Sequence, residues 1–481
     1  SIEELLNHKK YNVHNNKKEA ITIQQLGLSK LQRKRLEIYQ LVFYMLQTNP
    51  DYLTRLILKK TENVDNVIKL VLDLYPLKAL LIDHHLREEL NLVKLIRNVM
   101  SDDINHCKLN SDINKGKMNN WIRLLKDING QPYQQQHLKL LLGRIVFGIS
   151  SSEDMDFELN PLVIHGNLRE RELKVRGNLE KPATISPQQA IKDDTVATKF
   201  VENLMSLRET ASETLDLLFK NTHRIPLHVR VIARHAYDLS RVKFQNKSEH
   251  LHLAVAGVTI FKHYIASILL NPDDFGISMG LPEQKFETAA SRRNRENLRH
   301  LSKVLLQGFS LKPFQDNFLK PLNDYLEGSN EMTAKIISKI IDVQSLEDEY
   351  DMSQYDDVIS TEKPSLTLKV PVMLEIVKLV SEHINVVAST PEDPLRLTIE
   401  RLKDMNDSAS DFVSLAEMGQ VTLSLNPISP EILTQDLKTR LLMAQAKRAL
   451  MYIIRVQDGP GLLELLILGI RSESTRLNSS H

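Results

Sequence analysis

LEIYQLVFYMLQTNP, residues 36–50, sets Leu36, Tyr39, Phe43 and Leu46 three or four positions apart and then halts at Asn49-Pro50. Side chains at those intervals share one helix face, and the residue before a proline leaves the helical region, so the stretch predicts an amphipathic helix that ends itself. Two further stripes repeat the pattern: Leu298, Leu301, Val304 and Leu305, then Val372, Ile376 and Leu379. Each predicts core, because an amphipathic helix buries its apolar face by default. Glycine is scarce, 16 in 481, roughly half the usual share, which favours helices over strands. The predicted fold class is all-α, an irregular multi-helix body with a small mixed C-terminal extension. No fixed period relates the helices, which argues against a solenoid of short repeats.

The interruptions mark boundaries. SSSEDMDFELNP (residues 150–161) and GNLEKPATISPQQA (residues 177–190) bracket a connector or inserted hairpin at about 150–190. Ser186-Pro187-Gln188-Gln189 within it predicts a helix start, with serine as cap and proline in the first turn. STPEDPL, residues 389–395, separates the long body, 1–390, from a C-terminal piece, 391–470. That piece holds the only clear strand signal, QVTLSLNP, where Val421, Leu423 and Leu425 alternate with polar residues, followed by a predicted helix over about 431–454. RSESTRLNSSH, residues 471–481, breaks abruptly from LLELLILGI before it and is expected to be a cloning remnant outside the fold.

At 481 residues the chain exceeds what one core usually serves. With 62 Lys+Arg against 61 Asp+Glu the net charge is +1. No whole-chain field would draw it to nucleic acid or an acidic membrane, so any electrostatic partner surface must be local. The single cysteine, Cys107, excludes an internal disulfide and fits a reducing compartment. No run of about 18 apolar residues and no signal pattern stand out, so an intracellular, non-spanning chain is expected.

Chemistry is sparse. His250-x-His252 and His84-His85 lack cysteine or carboxylate partners at ligand spacing, so no metal is expected. Cys107 beside His106 does not arrange a nucleophile and base in space. There is no GxxxxGK phosphate loop, and neither a cofactor nor nucleotide hydrolysis by the chain itself is expected. SRRNREN, residues 291–297, is the densest positive run. It suits either a solvated loop or a contact for the acidic face of a partner.

Several segments resemble the Ras-GAP fold in its IQGAP variety, in order, from about residue 36 to 467. YQLVFYMLQTNPDYLTRLI (39–57) is similar to an opening helix pair of that family, and RIPLHVRVIARHAYD (224–238) to its Ile-Pro…Arg-x-Ile helix. FKHYIASILLNPDDFGI (261–277) sits where the family has its signature helix, and RENLRHLSKVL (295–305) resembles the helix after it. NPLVIHG with ISPQQA, the acidic IDVQSLEDEYDMSQYDDVI (341–359), and VTLSLNPIS with LLMAQAKRALMYIIRVQ (441–457) point to IQGAP rather than a conventional Ras-GAP. The resemblance implies the GAP-related domain of a fungal IQGAP-type cytokinesis scaffold, binding a Rho- or Ras-type small GTPase in its GTP form. It implies a cytoplasmic protein at the cell cortex and the cytokinetic actomyosin ring, at the bud neck or division site. Actin, calmodulin or myosin light chains would engage only calponin-homology, IQ and C-terminal domains that this chain does not include.

The departures bear on mechanism. A GAP places an arginine against charge developing on the transferred phosphoryl group, worth roughly 10³–10⁵-fold in rate. In active Ras-GAPs a Phe-Leu-Arg-x-x-Asn-Pro-Ala helix supports that finger. Here His263 replaces the supporting arginine and Ala266-Ser267 the Asn-Pro pair. A neutral imidazole lacks the five-donor fork of a guanidinium, so FKHYIASILL is expected to be a plain amphipathic core helix. Leu95-Ile96-Arg97 mimics the finger motif, yet the family's lysine-threonine pair would set Asn98 at the finger place, and the two registers stay open. No catalytic residue is expected. The family's binding face maps onto Arg97, Asn98, Arg230, His263 and Lys303, and a scaffold, an active GTPase-activating protein and an adaptor without a GTPase remain the competing readings.

Overall fold

The computed structural model describes residues 30–59, 63–77, 86–116, 119–178, 181–277, 288–344, 364–405 and 419–425. Single turns aside, the described helices are α1 (Lys30–Thr48), α2 (Pro50–Leu58), α3 (Val64–Leu72), α4 (Leu86–His106), α5 (Asn120–Asn129) and α6 (Pro132–Ser151). They continue with α7 (Pro161–Arg176), α8 (Asp194–Lys220), α9 (Leu227–Lys243), α10 (Glu249–Leu270), α11 (Ala289–Phe309) and α12 (Asn323–Ile341). The chain closes its described part with β1 (Ser365–Lys369), α13 (Val370–Glu382), α14 (Pro394–Asp404) and β2 (Gln420–Ser424). Among the described residues the fold is all-α with one two-stranded sheet.

Local chemistry sets these ends. The Asn49 carboxamide accepts from the Asp51 amide with Pro50 at the first helical position, and Asn160-Pro161 repeats the device for α7. An N-cap oxygen satisfies one of the amides that a helix start leaves unpaired, and proline there sacrifices no bond. Gly177, at φ 74°, ends α7 in the left-handed conformation that only glycine adopts cheaply. Ser186 caps as expected and forms a capping box with Gln189, but the helix it starts is a single turn, Pro187–Ala190.

The described chain forms two compact units, Asn49–Ser345 and a second made of Ser1–Thr48 with Leu346–His481. The second unit is stitched by a strand that the sequence reading missed. β1 pairs antiparallel with β2, Leu366 opposite Leu423 and Leu368 opposite Val421, all four buried, with the Thr367 and Thr422 hydroxyls 2.9 Å apart on the open face. SLTLK alternates as a half-buried strand should, but five residues running into Val370-Pro371 look like the approach to a helix. Because this pairing ties 365–369 to 420–424, the units divide at 48/49 and 345/346 rather than near 390. The helix expected over 431–454 lies outside the described residues.

Tyr39, Phe43 and Leu46 are buried along α1 as expected, with Leu36 only half-buried, and all four positions of the Leu298 stripe are buried. In α13 the buried line is Val370, Met373, Ile376 and Val380, with Val372 and Leu379 only half-buried. SRRNREN is the opening of α11, not a loop. Ser291 and both asparagines face inward: Asn294 donates to the Ser150 carbonyl, while Asn297 accepts from the Phe157 amide at 2.9 Å and donates to the Met155 carbonyl at 2.8 Å. These bonds hold the connector, whose centre is the helix α7 rather than a hairpin.

The core of the contiguous unit gathers around α10. Among the described residues this is the one helix long and apolar enough to cross a membrane, with mean hydropathy 1.7, and two-thirds of that stretch is buried in protein. Its Phe261 ring lies 5.4 Å from that of Phe309. Gly257 lets α10 press against the end of α11 and against α12: a Cβ there would stand 2.3 Å from the Phe309 carbonyl oxygen and 2.6 Å from Ile337 Cδ1.

Candidate functional site

The signature helix is not plain. After Ile260 the chain makes a π-turn, Phe261–Ile265, in which the Ala266 amide reaches back to the Phe261 carbonyl, before α-helical geometry resumes. A π-turn inserts one residue into the helical ladder and re-aims the side chains around it. Here it re-aims Lys262 and His263 at the loop after α4 and opens the His263 carbonyl to an outside donor.

Two asparagines receive this turn. Asn114 accepts at its amide oxygen from His263 Nε2 at 2.9 Å and Thr259 Oγ1 at 3.1 Å, and Lys262 Nζ donates to its backbone carbonyl at 2.8 Å. Asn129, the last residue of α5, donates through Nδ2 to the His263 carbonyl at 2.7 Å and accepts through Oδ1 from His228 Nε2 at 2.7 Å. The Trp121 ring, fully buried, meets the His263 ring edge-on at 5.4 Å and 79°. With both amide orientations fixed by these bonds, each imidazole carries its proton on Nε2. Burial pushes both His263 and His228 down to about 3, so both rings are neutral near pH 7.

The two candidate finger positions both fall inside α4 rather than on a loop. Asn98 is half-buried, and its amide donates to Asp51 Oδ1 at 2.8 Å. The Arg97 carbonyl accepts from Ser101 Oγ at 2.9 Å, with His235 Nε2 of α9 at 3.3 Å from the same oxygen and 3.0 Å from that hydroxyl. Arg230 is half-buried and donates to the Ile340 and Asp342 carbonyls at 3.1 and 2.9 Å, neutralising the C-terminal end of α12. Lys303 is exposed on α11. Arg97, Asn98, Arg230 and His263 thus sit on α4, α9 and α10, of which α9 packs against both of the others, whereas Lys303 stands on α11, which meets α10 and α12.

Asn114, Asn129 and His228 were not singled out from sequence. Nothing local distinguishes an asparagine whose partners lie 99 to 149 positions away. In the His250-x-His252 pair, His252 bonds Ser240 at 2.9 Å and His250 faces the Leu311 carbonyl at 3.2 Å. His84 and His85 lie outside the described residues.

His228 has a measurable consequence. Its folded value near 3 lies below the ordinary 6.5, so the unfolded chain takes up a proton first as pH falls and stability is lost from about pH 6.5 downward. Asp103, pushed up to about 6 by burial, acts in the opposite sense over part of that range. A His228→Gln variant keeps a donor toward Asn129 and cancels every other group when compared with the parent. The stability advantage of the parent over this variant should shrink by about 2 kcal/mol between pH 7 and pH 5, read from urea midpoints. A constant difference would mean that His228 is not held neutral.

A family profile described as "GTPase-activator protein for Ras-like GTPase" matches residues 95–310. The chain is similar to the Ras GTPase-activating-like protein IQG1 of Candida albicans, 40% identical over 92% of this chain and 28% of that one. It is also similar to the Ras GTPase-activating-like proteins rng2 of Schizosaccharomyces pombe (27% identical; 97% of this chain, 31% of that one) and IQGAP2 of Mus musculus (25%; 97% and 31%). The chain therefore spans less than a third of the length of these relatives.

Proposed function

This chain is a GAP-related domain of an IQGAP-type protein, and from that premise we propose that it binds a Rho- or Ras-type small GTPase in its GTP form without accelerating hydrolysis. The observation that carries this reading is the placement of Arg97 and Asn98 within a continuous helix, with the Asn98 amide already committed to Asp51. A finger must reach a phosphoryl group in a partner's site, and a side chain can do so from a helix only if it is long and unengaged. His263 adds to the argument: as a neutral ring with one N–H bonded to Asn114, it has no further donor to brace a loop. A surface that holds the partner's switch loops while inserting no supported cation contributes binding energy but no transition-state stabilisation.

The face we assign to the GTPase carries Arg97, Asn98, Arg230 and Lys303, with His263 beneath it. In this reading the domain serves as the GTPase-responsive part of a scaffold on the actin cytoskeleton, at the cell cortex and cytokinetic ring. Single-turnover hydrolysis on a panel of Rho-, Ras- and cytokinesis-type GTPases, with and without the domain, tests the catalytic half. The expected rate is at or below intrinsic, and Arg97→Ala should leave it unchanged. An acceleration beyond about tenfold, roughly 1.4 kcal/mol, that Arg97→Ala abolishes would make the domain an active GTPase-activating protein. Charge reversal at Arg97 and Lys303 should slow association and flatten its salt dependence. Arg230 is left out because its loss would unpair the end of α12.

A further inference from the structure

The loop that follows α4 is held more firmly than its surface position requires. Residues 107–116 leave the helix at Cys107, make a single 3₁₀ turn at Asn110–Asp112 and lead on toward α5. Three polar side chains are buried beneath them, Asp112, Asn114 and Asn119. The Asn119 amide donates to the carbonyls of Asp112, Ile113 and Lys115 at 2.8, 2.9 and 3.1 Å. Asp112 accepts from the Leu109 amide at 2.9 Å and from Lys115 Nζ at 2.5 Å. Asn114, besides its bonds to Thr259, Lys262 and His263, donates to the Val255 carbonyl at 3.3 Å. Burying polar groups is costly unless each is matched, and surface loops are ordinarily the mobile part of a fold. Here the matched set fixes the loop to α10 and holds its outer side still.

That outer side presents Lys108, Leu109, Ser111 and Lys115, with Leu109 60% exposed. A lone exposed leucine is ordinary. At the tip of a braced loop it is pre-ordered for contact, because little freedom is left for a partner to freeze out. Lys115 shares its charge with Asp112, whereas Lys108 is exposed beside Leu109. The loop also continues the face assigned to the GTPase. Along α4 the side chains at least partly open to solvent run in pairs, Arg97 with Asn98, Ser101 with Asp102 and Asn105 with His106, and the last pair leads into Lys108 and Leu109. Helix rise places His106 about 14 Å beyond Arg97, well inside the span of about 30 Å that an interface of about 800 Å² per partner covers. Resting on the GTPase binding put forward above, we propose that this loop is a second contact with the same partner. Leu109 packs into an apolar depression on the GTPase, and Lys108 pairs with a carboxylate at its edge.

The test measures the affinity of the full chain for the panel of GTPases loaded with a non-hydrolysable GTP analogue. Leu109→Asp should weaken binding by at least about tenfold with no loss of melting temperature, since the side chain lies outside the core. Lys108→Glu should slow association and flatten its salt dependence. Asn119→Ala releases the three carbonyls and should speed dissociation, and in that background Leu109→Asp should have less than its full effect. If a GTPase binds the parent and both surface variants alike, the loop is no contact and the proposal falls while the GTPase reading stands. If no GTPase of the panel binds the parent, both fall. Self-association of the chain that Leu109→Asp abolishes while GTPase affinity is unchanged would give the loop to a second copy and overturn the proposal as well.

Discussion

Gly257→Ala is expected to destabilise the contiguous unit by about 3 kcal/mol, although alanine is the better helix former by about 1 kcal/mol. The added methyl would stand 2.3 Å from the Phe309 carbonyl oxygen and 2.6 Å from Ile337 Cδ1. Ile337 can adjust its rotamer, but the carbonyl belongs to the end of α11 and moves only with the helix. Interiors packed at crystal density transmit such a shift rather than absorb it. Both Phe309 and Ile337 are fully buried, so separating α10 from α11 and α12 would open space beside them. Thermal unfolding should show a fall of roughly 5–10 °C. A Gly257→Ala protein as stable as the parent would mean that α10 does not approach its neighbours this closely.

The second large effect is expected at Asn129. Its side chain accepts from His228 and donates to the His263 carbonyl exposed by the π-turn, so Asn129→Leu strips partners from two groups at once. Each orphaned buried group costs about 1–3 kcal/mol, and a loss of about 3–4 kcal/mol is expected in urea unfolding. The sign of the coupling separates this mechanism from simple misfit. Replacing both sides, Asn129→Leu with His228→Leu, removes the demand along with the partner and should recover at least about 1 kcal/mol relative to the sum of the single losses. Strictly additive losses would show that the two residues do not act together.

These two positions mark where sequence reading stops. The helices at Leu36–Leu46 and Leu298–Leu305 were legible because periodicity is local and each stripe needs only a core to face. Ser186-Pro187 was legible as a cap for the same reason, though not the brevity of the helix it starts. Gly257 carried no signal, since a glycine in an apolar helix looks the same whether or not a carbonyl lies against it. The π-turn was hidden because FKHYIASILL keeps a serviceable α-helical pattern, and only Asn114 and Asn129, more than 130 positions upstream, define where the ladder slips. Arg230 was singled out as a surface contact, yet its guanidinium also serves the end of α12, a use that only the fold reveals. SRRNREN is a helix start where a solvated loop was one expectation, because the asparagines between its charges face inward and bond the connector.

The antiparallel pairing of β1 with β2 sets an order of assembly on the ribosome. The contiguous unit has all its residues once synthesis passes Ser345, so it can fold while the chain is still attached. The other unit draws α1 from one end of the chain and β2 from the other, and α1 packs against α14 and β2. At ordinary elongation rates α1 must wait roughly 20–75 s for β2 to emerge, with Tyr39, Val42, Phe43 and Leu46 lacking that cover. Nascent chains arrested between residues 345 and 419 should therefore hold a protease-resistant Asn49–Ser345 body beside an α1 that recruits chaperones.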